Sequence, residues 1–340
     1  MPSVALGALC ATLSLSWSVH AKPHAGGDPR EVTVVADEAV WAVVESTLIK
    51  GLERKVPFQD EETVFWVHGL GLDAMEIIRR RPLLLFLASV DVKGPVAEFV
   101  PTLMGKDLVA LASRSPFNRL TDPWAEGQVA YVLAGFTPHQ LDSLASRVVD
   151  ETYDGFLSRY RLTVHERLYA RGEDRAQTRN LASRYGWSLE VPRPWRMEAK
   201  PDEHWVHFVE TNPDRRVSVH WEDWAETTVT PEYCLRTRRA LARQYDRDDE
   251  IDGPRTTHEW TTFLGRPAVE IIGAWMNTKH TSGGPFRTVC FLVPEQQRLY
   301  FIDLVTFAPD RPKFYVMTQL GIIAETFKTA QNSTGGIEPS

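Results

Sequence analysis

Apolar and polar positions repeat along the chain in two periods, and the changes of period mark out its elements. Glu31–Ala36 (EVTVVA) and Thr63–His68 (TVFWVH) read as strands. Between them Val40, Trp41, Val44, Leu48 and Leu52 lie on one helical face behind Asp37, a residue type suited to a helix N-cap. Leu72–Arg80 predicts a short helix that stops before Pro82. The unbroken apolar run Leu83–Ser89 (LLLFLAS) predicts a strand buried on both faces. Asp107–Ser113 and Gln128–Gly135 are read as strands that complete this sheet. Thr137-Pro138 opens a long helix, as cap and first helical residue, running to about Ala170 with an interruption near Gly155. The order β-α-β-α-β-β-β-α predicts helices packed on a mainly antiparallel or mixed sheet.

Arg171-Gly172-Glu173-Asp174 is read as a boundary. Beyond it come a helix at Arg175–Tyr185, a strand at Trp187–Val191 and a hairpin of His204–Glu210 with Arg216–Asp223. A helix at Pro231–Tyr245, behind Thr230, precedes four strand-like runs: Thr257–Phe263, Ala268–Met276, Phe286–Val293 and Leu299–Phe307. Pro309–Phe327 predicts a closing helix. The expected class is α+β, with two α/β sandwich-like halves, each a mainly antiparallel sheet covered by helices. The expected organisation is an export signal (1–21), a linker (22–30), an N-terminal domain (31–171), a C-terminal domain (172–328) and a disordered tail (329–340).

Composition narrows the partners. The chain has 340 residues, 43% hydrophobic and 24% charged, an ordinary globular balance. Its net charge of −7 argues against a nucleic-acid partner, which calls for a basic patch or stripe. Arg79-Arg80-Arg81 is read as the polar end of a helix, and the acidic run Asp246–Asp252 as a solvated loop. Val4–Trp17 is an apolar stretch of 14 residues, too short to span a bilayer comfortably, and Val19-His20-Ala21 after it is an Ala-x-Ala-like cleavage site. Together they predict export to the periplasm or cell envelope, although Met1-Pro2-Ser3 supplies no basic n-region. Lipidation at Cys10 is the alternative, but Leu9 stands where a lipobox wants Gly or Ala. No other segment is long and apolar enough to predict a transmembrane helix. After cleavage Cys234 and Cys290 remain, either as a disulfide suited to an oxidising compartment or as two buried thiols.

Several stretches carry candidate chemistry. If Glu210 faces Arg216 in the hairpin, His204, His220 and Glu222 converge as a two-His, one-carboxylate group suited to zinc or iron. The competing reading is a mixed strand face with solvated histidines, because a slip of one residue scatters the trio. Asp150, Glu151, Asp154 and Glu166 fall on the long helix, where acids usually face solvent. Gly69-Leu70-Gly71-Leu72 sits between strand and helix but lacks a third glycine and a phosphate-binding lysine, so it is read as a tight turn. Trp205, Trp221, Trp224, Trp260 and Trp275 form either an exposed binding platform or, as tryptophan more often does, core and cross-strand packing. The stretch Gly273–Thr288 (GAWMNTKHTSGGPFRT) predicts two antiparallel strands joined by a loop around Asn277–Gly284. Positive φ is expected at Gly283, or failing that Gly284, with Pro285 fixing the re-entry to Phe286. Trp275, Lys279, His280, Gly283, Gly284, Pro285 and Phe286 are the candidate binding-loop residues.

The segments "REVTVVADEAVW" (30–41), "RYGWSLEVPRPWRM" (184–197), "HFVETN" (207–212), "GAWMN" (273–277) with "GGPF" (283–286), and "RLYFIDLVTFAP" (298–309) together resemble a bacterial envelope family known as domain of unknown function 4837. The resemblance covers about residues 30–328. Members of this kind are commonly predicted lipoproteins, a point on which Cys10 departs. The second half also resembles the PsbP-like α/β/α sandwich, through Trp187, Val191-Pro192 and Trp195. That resemblance implies a binding or assembly module, without catalytic residues to carry over. The expected function is therefore an exported envelope protein that binds another envelope protein or an envelope polymer and needs no cofactor. The weight of these signals is against an enzyme; the alternative is a metal-dependent periplasmic hydrolase.

Overall fold

A computed structural model of the protein describes residues 21–57, 61–245 and 249–329. Residues 1–20, which hold Cys10 and all of the expected export signal but its last residue, and the tail beyond Thr329 lie outside the described residues.

In the first half, β1 (Glu31–Ala36) leads into α1 (Glu38–Leu52), then a small hairpin of β2 (Lys55–Pro57) and β3 (Glu61–Thr63), and β4 (Trp66–Leu70). After the short helix α2 (Met75–Ile78) come β5 (Leu83–Ser89), α3 (Pro95–Met104), α4 (Leu108–Arg114), β6 (Phe117–Thr121), β7 (Val129–Gly135) and the long α5 (Pro138–Leu168). The sheet runs β4-β1-β5-β7-β6. β1 pairs in parallel with β4 and β5, and β5 in parallel with β7; β6 alone is antiparallel. The sheet is thus mixed, one of the two arrangements expected for this half, with parallel pairing dominant where mainly antiparallel pairing was the other expectation. The physical reason is coverage on both faces. Val40, Val44, Leu48 and Leu52 of α1 pack on one face with α5, while Val96, Val100 and Leu111 of α3 and α4 pack on the other. β5 and β7 are consequently buried at every position.

Two local expectations change. Asp107–Ser113 is helical because the Asp107 carboxylate accepts the Ala110 amide at 2.7 Å and caps α4. The edge strand falls instead at Phe117–Thr121. Gly155 does not interrupt α5; its missing side chain makes room for Tyr131, whose hydroxyl would lie 1.9 Å from a Cβ there.

The second half holds α6 (Arg175–Tyr185), β8 (Trp187–Ser188), β9 (Arg196–Lys200), β10 (Trp205–Glu210), β11 (Asp214–Asp223) and α7 (Pro231–Tyr245). These are followed by β12 (Glu250–Ile251), β13 (Thr257–Phe263), β14 (Arg266–Asn277), β15 (Ser282–Val293), β16 (Arg298–Phe307), α8 (Lys313–Glu325) and β17 (Lys328–Thr329). Seven strands run β12-β14-β15-β16-β11-β10-β9, with β13 also on β14, all antiparallel. Part of the acidic run is therefore strand β12, and Thr329 belongs to β17, which pairs with β8.

Helix α7 covers one face of this sheet and α8 the other, which gives an α/β/α sandwich. α7 is held from within. Cys234 forms a disulfide with Cys290 of β15, which resolves the cysteine alternatives. Arg238, buried, donates to Asp303 of β16 at 2.7 Å, and Thr288 donates to the same carboxylate oxygen at 2.6 Å. α8 carries a continuous buried run from Val316 to Ala324. It lies between the second sheet and α5, where Phe314 stacks on Tyr160 at 5.3 Å. One apolar core therefore passes from the first sheet through α5 and α8 into the second sheet. The residues read as a linker lie against the first half: Ala25 donates to the Glu126 carbonyl and Gly26 to that of Arg80.

Gly155→Ala is expected to destabilise the fold by about 1–3 kcal/mol, because the new methyl overlaps the Tyr131 hydroxyl. Denaturant unfolding of the single variants and of Gly155→Ala with Tyr131→Phe checks this. Removing the hydroxyl should recover a large part of the loss, and purely additive losses would exclude the proposed overlap.

Candidate functional site

The predicted binding loop is shorter than expected. β14 and β15 enclose only Thr278, Lys279, His280 and Thr281, and the Asn277 side-chain oxygen accepts the Lys279 and His280 amides, both at 3.1 Å. The positive φ falls on Thr281 (49°) rather than on Gly283 or Gly284, because the Asn277 contacts complete the reversal before the glycines begin. Gly283 and Gly284 are strand residues opposite Met276 and Trp275. Gly284 is required for space, since a Cβ there would lie 2.1 Å from the Thr306 carbonyl oxygen. That oxygen accepts the Trp275 indole N–H at 3.2 Å. Trp275, Pro285 and Phe286 are buried, and Arg238 packs over the Phe286 ring at 4.7 Å. Of the seven predicted residues, Lys279 and His280 are exposed.

The His204, His220 and Glu222 trio does not converge. Glu210 pairs with Arg215, one residue off the expected register, so Trp205 faces His220. Asn212, at φ 71°, lets the chain reverse through Thr211–Asp214. The His204 ring stacks on Trp221 at 5.3 Å, and strand alternation puts Trp221 on the opposite face of β11 from His220 and Glu222. His204 offers His220 only its backbone oxygen, 3.0 Å from Nδ1. The His220 Nε2 lies 3.2 Å from Glu222, which also accepts the Tyr233 hydroxyl at 2.5 Å. The ligand set behind the hydrolase alternative is therefore not assembled, and no metal-ligand cluster occurs among the described residues.

The tryptophan alternatives divide. Trp205, Trp221 and Trp275 are buried, Trp224 is half-buried, and Trp260 is 58% exposed on the sheet edge. Gly69 is the next-to-last residue of β4 and lies against the Trp41 ring, where a Cβ would meet it at 2.7 Å.

In a parallel sheet of this order, a ligand crevice is expected at the carboxyl ends of β1 and β5, where the strand order reverses. Asp37 stands there. Its carboxylate does not cap α1; it accepts the Val96 and Ala97 amides, each at 3.1 Å, at the start of α3. A Cβ at Gly94 would lie 2.4 Å from that carboxylate. The chain's own anion thus fills the place that a bound anion would take.

The open concavity with convergent polar groups lies between the halves. It is a cleft of about 460 Å³, lined by Asp28, Pro29 and Arg30 before β1, Trp66 of β4, and Tyr160 and Arg167 of α5. Pro213 and Arg215 of the β10–β11 turn, with Arg311, Pro312, Tyr315 and Val316 at the start of α8, complete it. Its size suits a small ligand or part of a larger one. A neighbouring recess of about 270 Å³ shares Pro213 and Arg311.

Arg30 is the buried wall of this cleft. It donates to the Val64 carbonyl at 2.8 Å, to the Thr63 carbonyl and to Glu62 at 2.9 Å, and it stacks over Trp66 at 4.2 Å. Burial pushes the Arg215 guanidinium below its ordinary pKa and Arg311 adds to the shift, while Glu210 and Tyr315 oppose it. Arg311 donates to Asn212 at 2.8 Å. Arg167 is exposed at the end of α5. Burial holds the Tyr160 hydroxyl far above the ordinary tyrosine pKa, with Arg30 opposing. Apart from Arg30, which opens the segment REVTVVADEAVW, none of these residues belongs to a segment singled out in the sequence. The only local signal is that Arg30, Arg215 and Arg311 each stand within two residues of a loop proline.

Fold and cleft together define an α+β protein of two layered halves with a basic, aromatic-lined junction. Residues 174–326 match the family model described as a domain of unknown function, DUF4837. The match lies within the second half; the resemblance read over the first half is outside it. No curated protein matches the chain in sequence. Among solved structures, the chain is similar to cyanobacterial PsbP (CyanoP) from Synechocystis sp. PCC 6803, at 13% identity over 42% of this chain and 86% of that one, with a TM-score of 0.32. It is similar to the Saccharomyces cerevisiae Ran-binding protein Mog1p at 11% identity, over 44% and 92%, with a TM-score of 0.32. It is also similar to LpqN, involved in cell envelope biogenesis of Mycobacterium tuberculosis, at 15% identity, over 42% and 81%, with a TM-score of 0.28.

Gly284→Ala is expected to cost about 1–3 kcal/mol, because the carbonyl it meets is fixed within β16. Ser282→Ala should stay within ~0.5 kcal/mol, the range of an ordinary surface change. Paired urea titrations check the difference, and equal midpoints would contradict the assigned strand position of Gly284.

Proposed function

We propose that the protein is an exported cell-envelope module that recognises another envelope protein or an envelope polymer without transforming it, and that it does so in the cleft between its halves. The observation that carries this reading is the chemistry of the cleft's side chains. Arginine cannot act as a base near neutral pH, and Tyr160 is kept protonated by burial, so these groups donate hydrogen bonds rather than move protons. The walls come from both halves, and sites at such junctions commonly take ligands. For export, the support is the apolar stretch Val4–Trp17 with the Ala21 cleavage signal, together with the Cys234–Cys290 disulfide, which suits an oxidising compartment.

A photo-reactive phenylalanine at Tyr315, inside the cleft, and one at Trp260, on the exposed sheet edge, compare the two surfaces in envelope fractions. Adducts should form from position 315 and be absent or weaker from 260. Equal capture from both positions would contradict recognition in the cleft. N-terminal sequencing of the same material should begin at Lys22; a chain starting at Met1 would contradict export by this signal.

A further inference from the structure

Charge balance in the cleft points to the chemistry of its ligand, given the reading of the cleft as a recognition site. Arg30 is neutralised by Glu62. The other three arginines are not balanced in the same way. Arg311 meets only the neutral Asn212 side chain, and Arg167 makes no side-chain hydrogen bond or ion pair among the described residues. Arg215 has Glu210 opposite it across the hairpin as a partial counter-charge, yet no ion pair forms between them; Arg311 lies close enough to repel it, and the Arg215 Nε is buried without a hydrogen-bond partner. The Tyr160 hydroxyl is likewise buried, with Thr318 beside it but no hydrogen bond of good geometry. Asp28 is the only carboxylate among the lining residues, and it accepts the backbone amide of Arg30. In a chain of net charge −7, this is a local gathering of cations. The exposed Arg167 and Arg311 donate mainly to solvent, and the buried Arg215 Nε has no acceptor, so donors stand ready for an acceptor that a ligand brings.

We propose that this cleft is an oxyanion site, which takes a carboxylate or phosphate group on Arg167, Arg215 and Arg311 and an apolar ring of the same ligand against Trp66 and Tyr315. An oxyanion only accepts hydrogen bonds, and planar guanidinium groups meet it with paired donors. The aromatic wall adds apolar contact, since Trp66 is 36% exposed and Tyr315 half-buried. A cationic ligand is repelled by the same three groups.

The test is calorimetric titration of the whole mature chain with four probes of similar ring size: phenyl phosphate, phenylacetate, benzyl alcohol and benzylamine. At least one of the two anions should bind, more weakly as salt rises. Its affinity should fall roughly tenfold or more in Arg167→Gln with Arg311→Gln, both surface changes that should leave the melting temperature in place. Phenyl phosphate alone, or phenylacetate alone, would support the site and name its group. Anion binding unchanged in the double variant would overturn the assignment to these arginines. Benzyl alcohol binding as tightly as either anion would overturn the oxyanion preference while leaving the cleft a recognition site. Binding of none of the four would overturn both.

Discussion

The carboxylate of Glu62 joins the two halves, and the cleft depends on it. One oxygen accepts from Arg30 at 2.9 Å; the other accepts the Lys313 and Phe314 amides at 2.7 and 2.9 Å. α8 begins after Pro312, whose side chain cannot cap it, so its first amides would otherwise be unpaired donors. A residue from the hairpin of the first half therefore caps the buried helix of the second, where negative charge also suits the helix dipole. With Arg30 almost wholly buried and Glu62 mostly so, losing one partner leaves a buried charge, which costs about 3–5 kcal/mol in comparable cases.

The cleft is built outward from this contact. Arg30 places its guanidinium between Glu62, Trp66 and Phe314, and so sets the back wall. The start of α8, held by Glu62, carries Tyr315 and Val316 into the opposite wall and follows directly from Arg311. Tyr160 stacks on Phe314 and ties α5 to the same point. The ion pair of Arg161 with Glu325 secures the other end of α8 to α5. The basic surface is therefore a consequence of how the halves meet.

Much of the α+β architecture was legible because its elements are long and strongly patterned. β5 reads as a buried strand from LLLFLAS, and α1 from the spacing of Val40, Val44, Leu48 and Leu52. The direction of pairing was not legible, since a run buried on both faces suits either direction until the covering helices are placed. Leu108–Arg114 was ambiguous because seven residues of mixed apolar character fit either a short strand or about two turns of helix. The hairpin register failed by one position at Asn212, and with a side-chain period of two that slip is enough to send His204 and His220 to opposite faces. Asp37 and Glu62 cap helices far along the chain, and Arg30, Arg167, Arg215 and Arg311 meet only through the docking of the halves. No local pattern encodes contacts of that range.

Amide hydrogen exchange at Lys313 and Phe314 tests the central contact most directly. In Glu62→Ala, exchange at these two amides should rise roughly a hundredfold, equivalent to ~2.7 kcal/mol, while amides in the centre of β15 keep their protection. Exchange at Lys313 and Phe314 within about twofold of the unaltered protein would show that Glu62 does not hold the closing helix, and that the halves are joined by some other contact.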